Sequence, residues 1–175
     1  MQNILRMGLG ELSALPVQDV DRLFTPEELV HVATTLGAFW RYDYQAAAQG
    51  RVGMHAELKS RLHSDGFFVS KILLAPENML IIMANQIVMK LSQTGTPMPS
   101  CVAGVPDGAT KLGAKIAELL GIPEAKMEKA ENIIVLRTEI PDGHTLLLVE
   151  DFCTMGTGFR QAVLEVKAKR PLVEI

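Results

Sequence analysis

TLLLVEDFCTMGTGF, residues 145–159, is an apolar run that ends in two adjacent acids, Glu150 and Asp151, and passes into a turn rich in glycine and threonine. An uninterrupted apolar run reads as a strand buried on both faces, which belongs in a parallel sheet covered by helices. The turn then opens a helix. There the backbone amides of Met155, Gly156, Thr157 and Gly158 can surround a phosphate, with the hydroxyls of Thr154 and Thr157 adding hydrogen bonds. Carboxylates one step before that cradle are placed to accept hydrogen bonds from sugar hydroxyls or to hold a hydrated metal ion. The ligand implied is a sugar phosphate. The stretch is neither GxxxxGK[ST] nor GxGxxG, so a nucleotide P-loop and a nicotinamide site both lose support.

Working outward, SCVAGV (100–105) reads as another buried strand, PDGAT (106–110) as a turn, and residues 111–120 as a helix with Leu112, Ile116, Ala117, Leu119 and Leu120 on its apolar side. IIVL (133–136) is a further strand. A helix follows from about Phe159 to Lys169, and Pro171 separates it from the apolar run LVEI. Upstream, ENMLIIMANQIVMKL (77–91) is a buried helix, shorter than the roughly 20 residues of a membrane span and interrupted by Asn85, Gln86 and Lys90. Thr25, Pro26 and Glu28 form a capping box with proline at the first helical position. That helix is expected to continue toward Gly50, with Gly37 and the aromatic residues Phe39, Trp40, Tyr42 and Tyr44 able to bend or interrupt it; His31 on it reads as a packing or surface residue. Residues 54–76 read as a hairpin turning at 62–66. The predicted fold class is α/β, a mostly parallel sheet flanked by helices. Residues 1–175 form one domain, with 1–75 supplying an N-terminal helix and a hood containing a β-hairpin and 76–175 the α/β core.

The chain has 175 residues, 48% of them hydrophobic and 21% charged, which suits one globular domain with a sizeable core. A net charge of -3 and a pI near 5.8, with no basic run, argue against nucleic acid or an anionic membrane as partner. Cys101 and Cys153 form neither a disulfide framework nor a zinc spacing. With no secretory pattern in the first residues, the expected location is cytoplasmic.

Four apolar residues, two acids and a TxGT-type turn resemble the phosphoribosyl pyrophosphate (PRPP) signature of the type I phosphoribosyltransferases. The order of the other segments, from about residue 54 to 166, is similar to that of orotate phosphoribosyltransferases. The resemblance implies a hood over the base, with Lys59, Phe67 and Phe68 reaching it, and a pyrophosphate loop at Pro106, Asp107, Gly108 and Ala109. It assigns the ribose hydroxyls to Glu150 and Asp151 and the 5'-phosphate to Thr154, Met155, Gly156, Thr157 and Gly158. Mg²⁺ would arrive with PRPP, near Glu150 and Asp151, and the chain would form a homodimer.

The same resemblance implies a mobile basic loop, RKxxKxHG, that closes over the neighbouring subunit's site. Its match is AKMEKAEN (125–132), which keeps Lys126 and Lys129 to neutralise the departing pyrophosphate. Ala125, Glu131 and Asn132 stand where the arginine, histidine and glycine would be, and an acid among phosphates opposes catalysis. The arginine expected to read the orotate carboxylate, after a later strand, has no counterpart in these 175 residues. Two readings of function follow. One is a transferase that joins orotate or a related pyrimidine to PRPP. The other is a non-catalytic relative that binds PRPP or a nucleotide as a sensor or regulator.

Overall fold

The computed structural model describes residues 3–51, 53, 55–58 and 61–175. In chain order the elements are α1 (Leu9–Ser13), α2 (Pro26–Thr35), β1 (Phe39–Arg41), α3 (Tyr44–Ala48), β2 (Ala56–Glu57), β3 (His63–Ser64), β4 (Gly66–Phe68), α4 (Ser70–Leu73), α5 (Glu77–Gln93), β5 (Cys101–Gly104), α6 (Thr110–Leu120), β6 (Met127–Ala130), β7 (Ile133–Leu136), β8 (Leu146–Val149) and α7 (Thr157–Lys169).

β5 and β8 run parallel, in register from Cys101 opposite Leu146 to Gly104 opposite Val149. Single parallel bridges, Val102 to Glu124 and Thr145 to Glu174, continue the sheet on either side. Successive side chains on a strand point to opposite faces, and here both faces are covered. Cys101, Ala103, Leu146 and Leu148 pack with Ala162 and Val166 of α7 and with Met127, Ile134 and Leu136. Val102 and Val149 pack instead with Leu80 and Ile82 of α5 and Leu112 and Ile116 of α6. This double burial is why the two strand sequences carry no polar alternation. α6 lies so close to β5 that a Cβ at Gly113 would stand 2.4 Å from the Gly104 nitrogen.

At the N-terminal end the capping box forms as expected. Glu28 N–H donates to Thr25 Oγ1 and Thr25 N–H to Glu28 Oε2, an arrangement whose cap is worth about 1 kcal/mol. Glu28 is 5% exposed; Arg22 donates to both its oxygens and holds its carboxyl below the ordinary range. His31 lies against the Met7 carbonyl at 2.9 Å, a packing role.

Three expectations are corrected. The helix from Pro26 ends at Thr35 and does not run toward Gly50: Gly37 takes a left-handed φ of 75°, and the aromatic segment after it becomes β1. The hood hairpin does not turn at 62–66. His63–Ser64 is itself a strand, paired with Ala56–Glu57, and the reversal lies between them, where Leu58 N–H donates to the Leu62 carbonyl and Arg61 has a φ of 66°. β4 then pairs antiparallel with β1, Phe39 opposite Phe68 and Trp40 opposite Phe67.

The third correction concerns the basic loop. Residues 127–136 form a tight hairpin, β6 against β7, turning on Glu131 and Asn132 with φ of 50° and 66°. Two residues at positive φ are the geometry of a two-residue turn that matches strand twist. Ala125, aligned with the loop arginine, is 1% exposed and donates its N–H to the Val102 carbonyl at 2.7 Å. It is a core residue beside β5.

Candidate functional site

Parallel strands bring their C-terminal ends to one edge, where ligands bind in open α/β sheets. Val105 N–H donates to the Val149 carbonyl at 2.8 Å, so the segment after β5 and the segment after β8 leave the sheet side by side. The peptide between Pro106 and Asp107 is cis. Asp107 and Gly108 are exposed, while Ala109 is buried under the start of α6.

The two acids diverge because they are adjacent on one chain. Glu150 turns toward α7: a Cβ at Gly158 would stand 3.0 Å from Glu150 Oε1. Asp151 turns the other way. A Cβ at Gly108 would meet its carboxylate at 2.2 Å, and Ser70 Oγ, the first residue of α4, donates to Asp151 Oδ2. Glycine at 108 therefore lets the pyrophosphate-loop candidate and the second acid touch. Glu150 Oε2 is the one buried side-chain oxygen or nitrogen among the described residues that lacks a hydrogen-bond partner. Burial, and then the neighbouring charge of Asp151, push the Glu150 carboxyl above its ordinary value. The start of α7 favours an anion by roughly 0.3–1 kcal/mol, less than the roughly 1–3 kcal/mol for leaving a buried acceptor unpaired, so burial wins.

Past the acids, Phe152, Cys153, Thr154 and Met155 are exposed. Gly156 caps α7 with a φ of 68° and ψ of 18°, a left-handed conformation that glycine takes without a Cβ clash. The first bond along the helix is Arg160 N–H to the Gly156 carbonyl at 2.9 Å. The amides of Thr157 and Gly158 precede it, so they are among the donors a helix start leaves for an anion. Arg160 Nη2 also donates to the Met155 carbonyl at 2.6 Å, bracing the turn from below.

Of the base-site candidates, Phe68 packs on Phe152 with ring centroids 5.5 Å apart, directly beside Asp151. Phe67, its neighbour on β4, takes the opposite face and lines a different cavity. Lys59 lies outside the described residues. Lys126 and Lys129 are exposed on the hairpin arm; Glu124 and Ala125, just before it, run beside β5 and parallel to it, toward the edge that carries the acids. Sequence reasoning missed Ser70 and Phe152. Ser70 meets Asp151 across 81 positions, and no local pattern announces such a contact; Phe152, inside the quoted stretch, was legible as the aromatic nearest the acids.

No protein-family model matches the sequence and no curated protein matches it. Solved structures do match. An orotate phosphoribosyltransferase from Aeropyrum pernix superposes with a TM-score of 0.63 at 20% identity, over 83% of this chain and 76% of its own. The fold is that of the type I phosphoribosyltransferases. A UMP synthase from Leishmania donovani shares this phosphoribosyltransferase fold with a TM-score of 0.65 at 16% identity, over 84% of this chain but only 29% of its own. The adenine phosphoribosyltransferase of Leishmania donovani shares it at 0.55 and 15% identity, over 81% of this chain and 64% of its own.

Proposed function

We propose that this chain binds PRPP and transfers its phosphoribosyl group to a nucleobase, orotate or a related pyrimidine, with release of pyrophosphate. The observation that carries the reading is the acid pair at the sheet edge, Glu150 against the glycine-rich start of α7 and Asp151 against Gly108 and Ser70, with Glu150 Oε2 lacking a partner. A ribose hydroxyl supplies the missing donor. Asp151 takes the neighbouring hydroxyl, the turn from Thr154 to Gly158 takes the 5'-phosphate, and residues 106–109 take the pyrophosphate. The bond from C1 to pyrophosphate breaks and a bond from C1 to the base nitrogen forms, so the protein's work is positioning and charge stabilisation. Phe68 and Phe152 give the base an aromatic wall.

Among the described residues no three His, Cys, Asp or Glu side chains gather to hold a metal. On the resemblance, Mg²⁺ would arrive on the substrate's oxygens, with Glu150 and Asp151 the side chains nearest to it, and would supply neutralisation of the leaving pyrophosphate. The tight β6–β7 hairpin, with Glu131 at its tip, favours the second reading, a PRPP or nucleotide sensor without useful turnover.

Calorimetry with PRPP and Mg²⁺, beside pyrophosphate release with a panel of bases, tests both. Binding that falls at least about tenfold in Asp151→Asn, with an unchanged melting temperature, supports the shared site. Pyrophosphate release with a pyrimidine selects the transferase; binding without release selects the sensor. No binding at millimolar PRPP removes both.

A further inference from the structure

The hood carries a second compartment, on the face of the β1–β4 ribbon turned away from the acid pair. Alternation along the ribbon sends Phe39 and Phe68 inward, toward the core and Phe152, and sends Trp40 and Phe67 outward. The outward face walls a cavity of about 590 Å³, within the size range of small-molecule sites. Trp40 and Phe67 are each 41% exposed there. Tyr42 and His55 stack on each other on the same wall, centroids 4.2 Å apart and planes 28° from parallel.

The polar part of the lining is cationic. Among the described residues the Arg41 side chain has no hydrogen bond or ion pair, and the Arg51 guanidinium donates only to Gln49 Oε1, while the Arg51 backbone N–H donates to the Ala46 carbonyl. The one acid of the lining, Asp43, uses Oδ1 to cap α3 by accepting from Ala46 N–H. Aromatic faces select flat rings, and guanidiniums select carboxylate or phosphate by paired donors. None of the lining residues comes from the strand-end loops that carry Glu150, Asp151 and the phosphate turn.

We infer that this outer hood cavity is a second binding site, for a planar nucleobase-type ring bearing an acidic group, as in a pyrimidine carboxylate or a nucleoside monophosphate. The site is separate from the proposed PRPP site and does not depend on it. A ring stacks against Tyr42 or Trp40 while its acidic group meets Arg41 and Arg51.

Trp40 is the only tryptophan in the chain and lines this cavity, so its fluorescence, corrected for absorption by the ligand, reports on occupancy there, and the arginine variant and Asp151→Asn separate it from the PRPP site. Titrations with orotate, UMP and neutral uridine, on the parent protein and on an Arg41→Gln/Arg51→Gln variant, test the inference. Both arginines belong to an exposed surface, and an unchanged melting curve confirms that the variant folds. Saturable quenching by orotate, UMP or both, at least about tenfold tighter than by uridine, is expected, and the variant should lose that advantage. Orotate alone assigns the acidic group as a carboxylate, UMP alone as a phosphate. Asp151→Asn should bind as the parent does. No saturable quenching, equal affinity for uridine, an unaffected arginine variant, or loss of quenching in Asp151→Asn would each overturn the second site.

Discussion

At residue scale, the decisive group is Glu150. Its carboxyl is held above the ordinary value of 4.5 by burial and by Asp151, so the folded state binds this proton more tightly than the unfolded chain does. The contribution to stability is then complete below about pH 4.5 and is lost as pH rises through the folded value. Glu150→Gln removes the buried charge and should stabilise the ligand-free protein at pH 7 by about 1 kcal/mol, a gain of roughly 2–4 °C in melting temperature. The gain should shrink toward zero near pH 4. Scanning calorimetry at the two pH values measures it, and a variant less stable than the parent at pH 7 would mean that Oε2 has a partner. The same substitution should weaken PRPP binding, because the amide cannot accept as a carboxylate does.

At element scale, two contacts are open to test. Gly113→Ala would drive a methyl group to 2.4 Å from the Gly104 backbone. Overpacking of this kind costs about 2 kcal/mol, and the melting temperature should fall by roughly 4–8 °C; an unchanged value would show that α6 can slide on β5. The β6–β7 hairpin bears on rate. A ground-state contact sets affinity, whereas a donor acting on charge developed in the transition state sets kcat, and loss of one such donor costs about 10²- to 10³-fold. Orotate turnover should accordingly be far below that of an ordinary orotate phosphoribosyltransferase on the transferase reading and absent on the sensor reading, with PRPP bound in both. Glu131→Lys, at an exposed turn, should raise any residual rate of pyrophosphate release and leave PRPP affinity unchanged. A parent rate of tens per second would contradict this.

The elements also mark what the sequence makes legible. β5 and β8 could be read because both faces are buried, which leaves continuous apolar letters, and the glycine turn after Asp151 could be read because its backbone geometry restricts residue type. The capping box at Thr25 was equally local. β1 was not legible: Phe39–Arg41 becomes a strand only by pairing with Gly66–Phe68, far along the chain. The lysine spacing of 126–129 suggested a loop, while IIVL beside it already read as a strand, and the strand it pairs with, Met127–Ala130, carries no apolar run of its own.

At the scale of the whole molecule, we propose a homodimer, since the family this sequence resembles completes each site from a neighbour; Leu9 on α1 and Val30 on α2 are both more than half exposed. Sedimentation at high concentration should show a dimer; monomer alone would leave the β6–β7 hairpin serving its own subunit. The sheet also divides the molecule into two half-cores, and the acids at its edge belong one to each half, Glu150 toward α7 and Asp151 toward α4. On the proposed reading, a guest with hydroxyls on adjacent carbons of one ring face would meet both acids. Inverting one of those stereocentres should leave one acid without its donor and weaken binding, so the divergence of two neighbouring side chains would act as a filter for handedness.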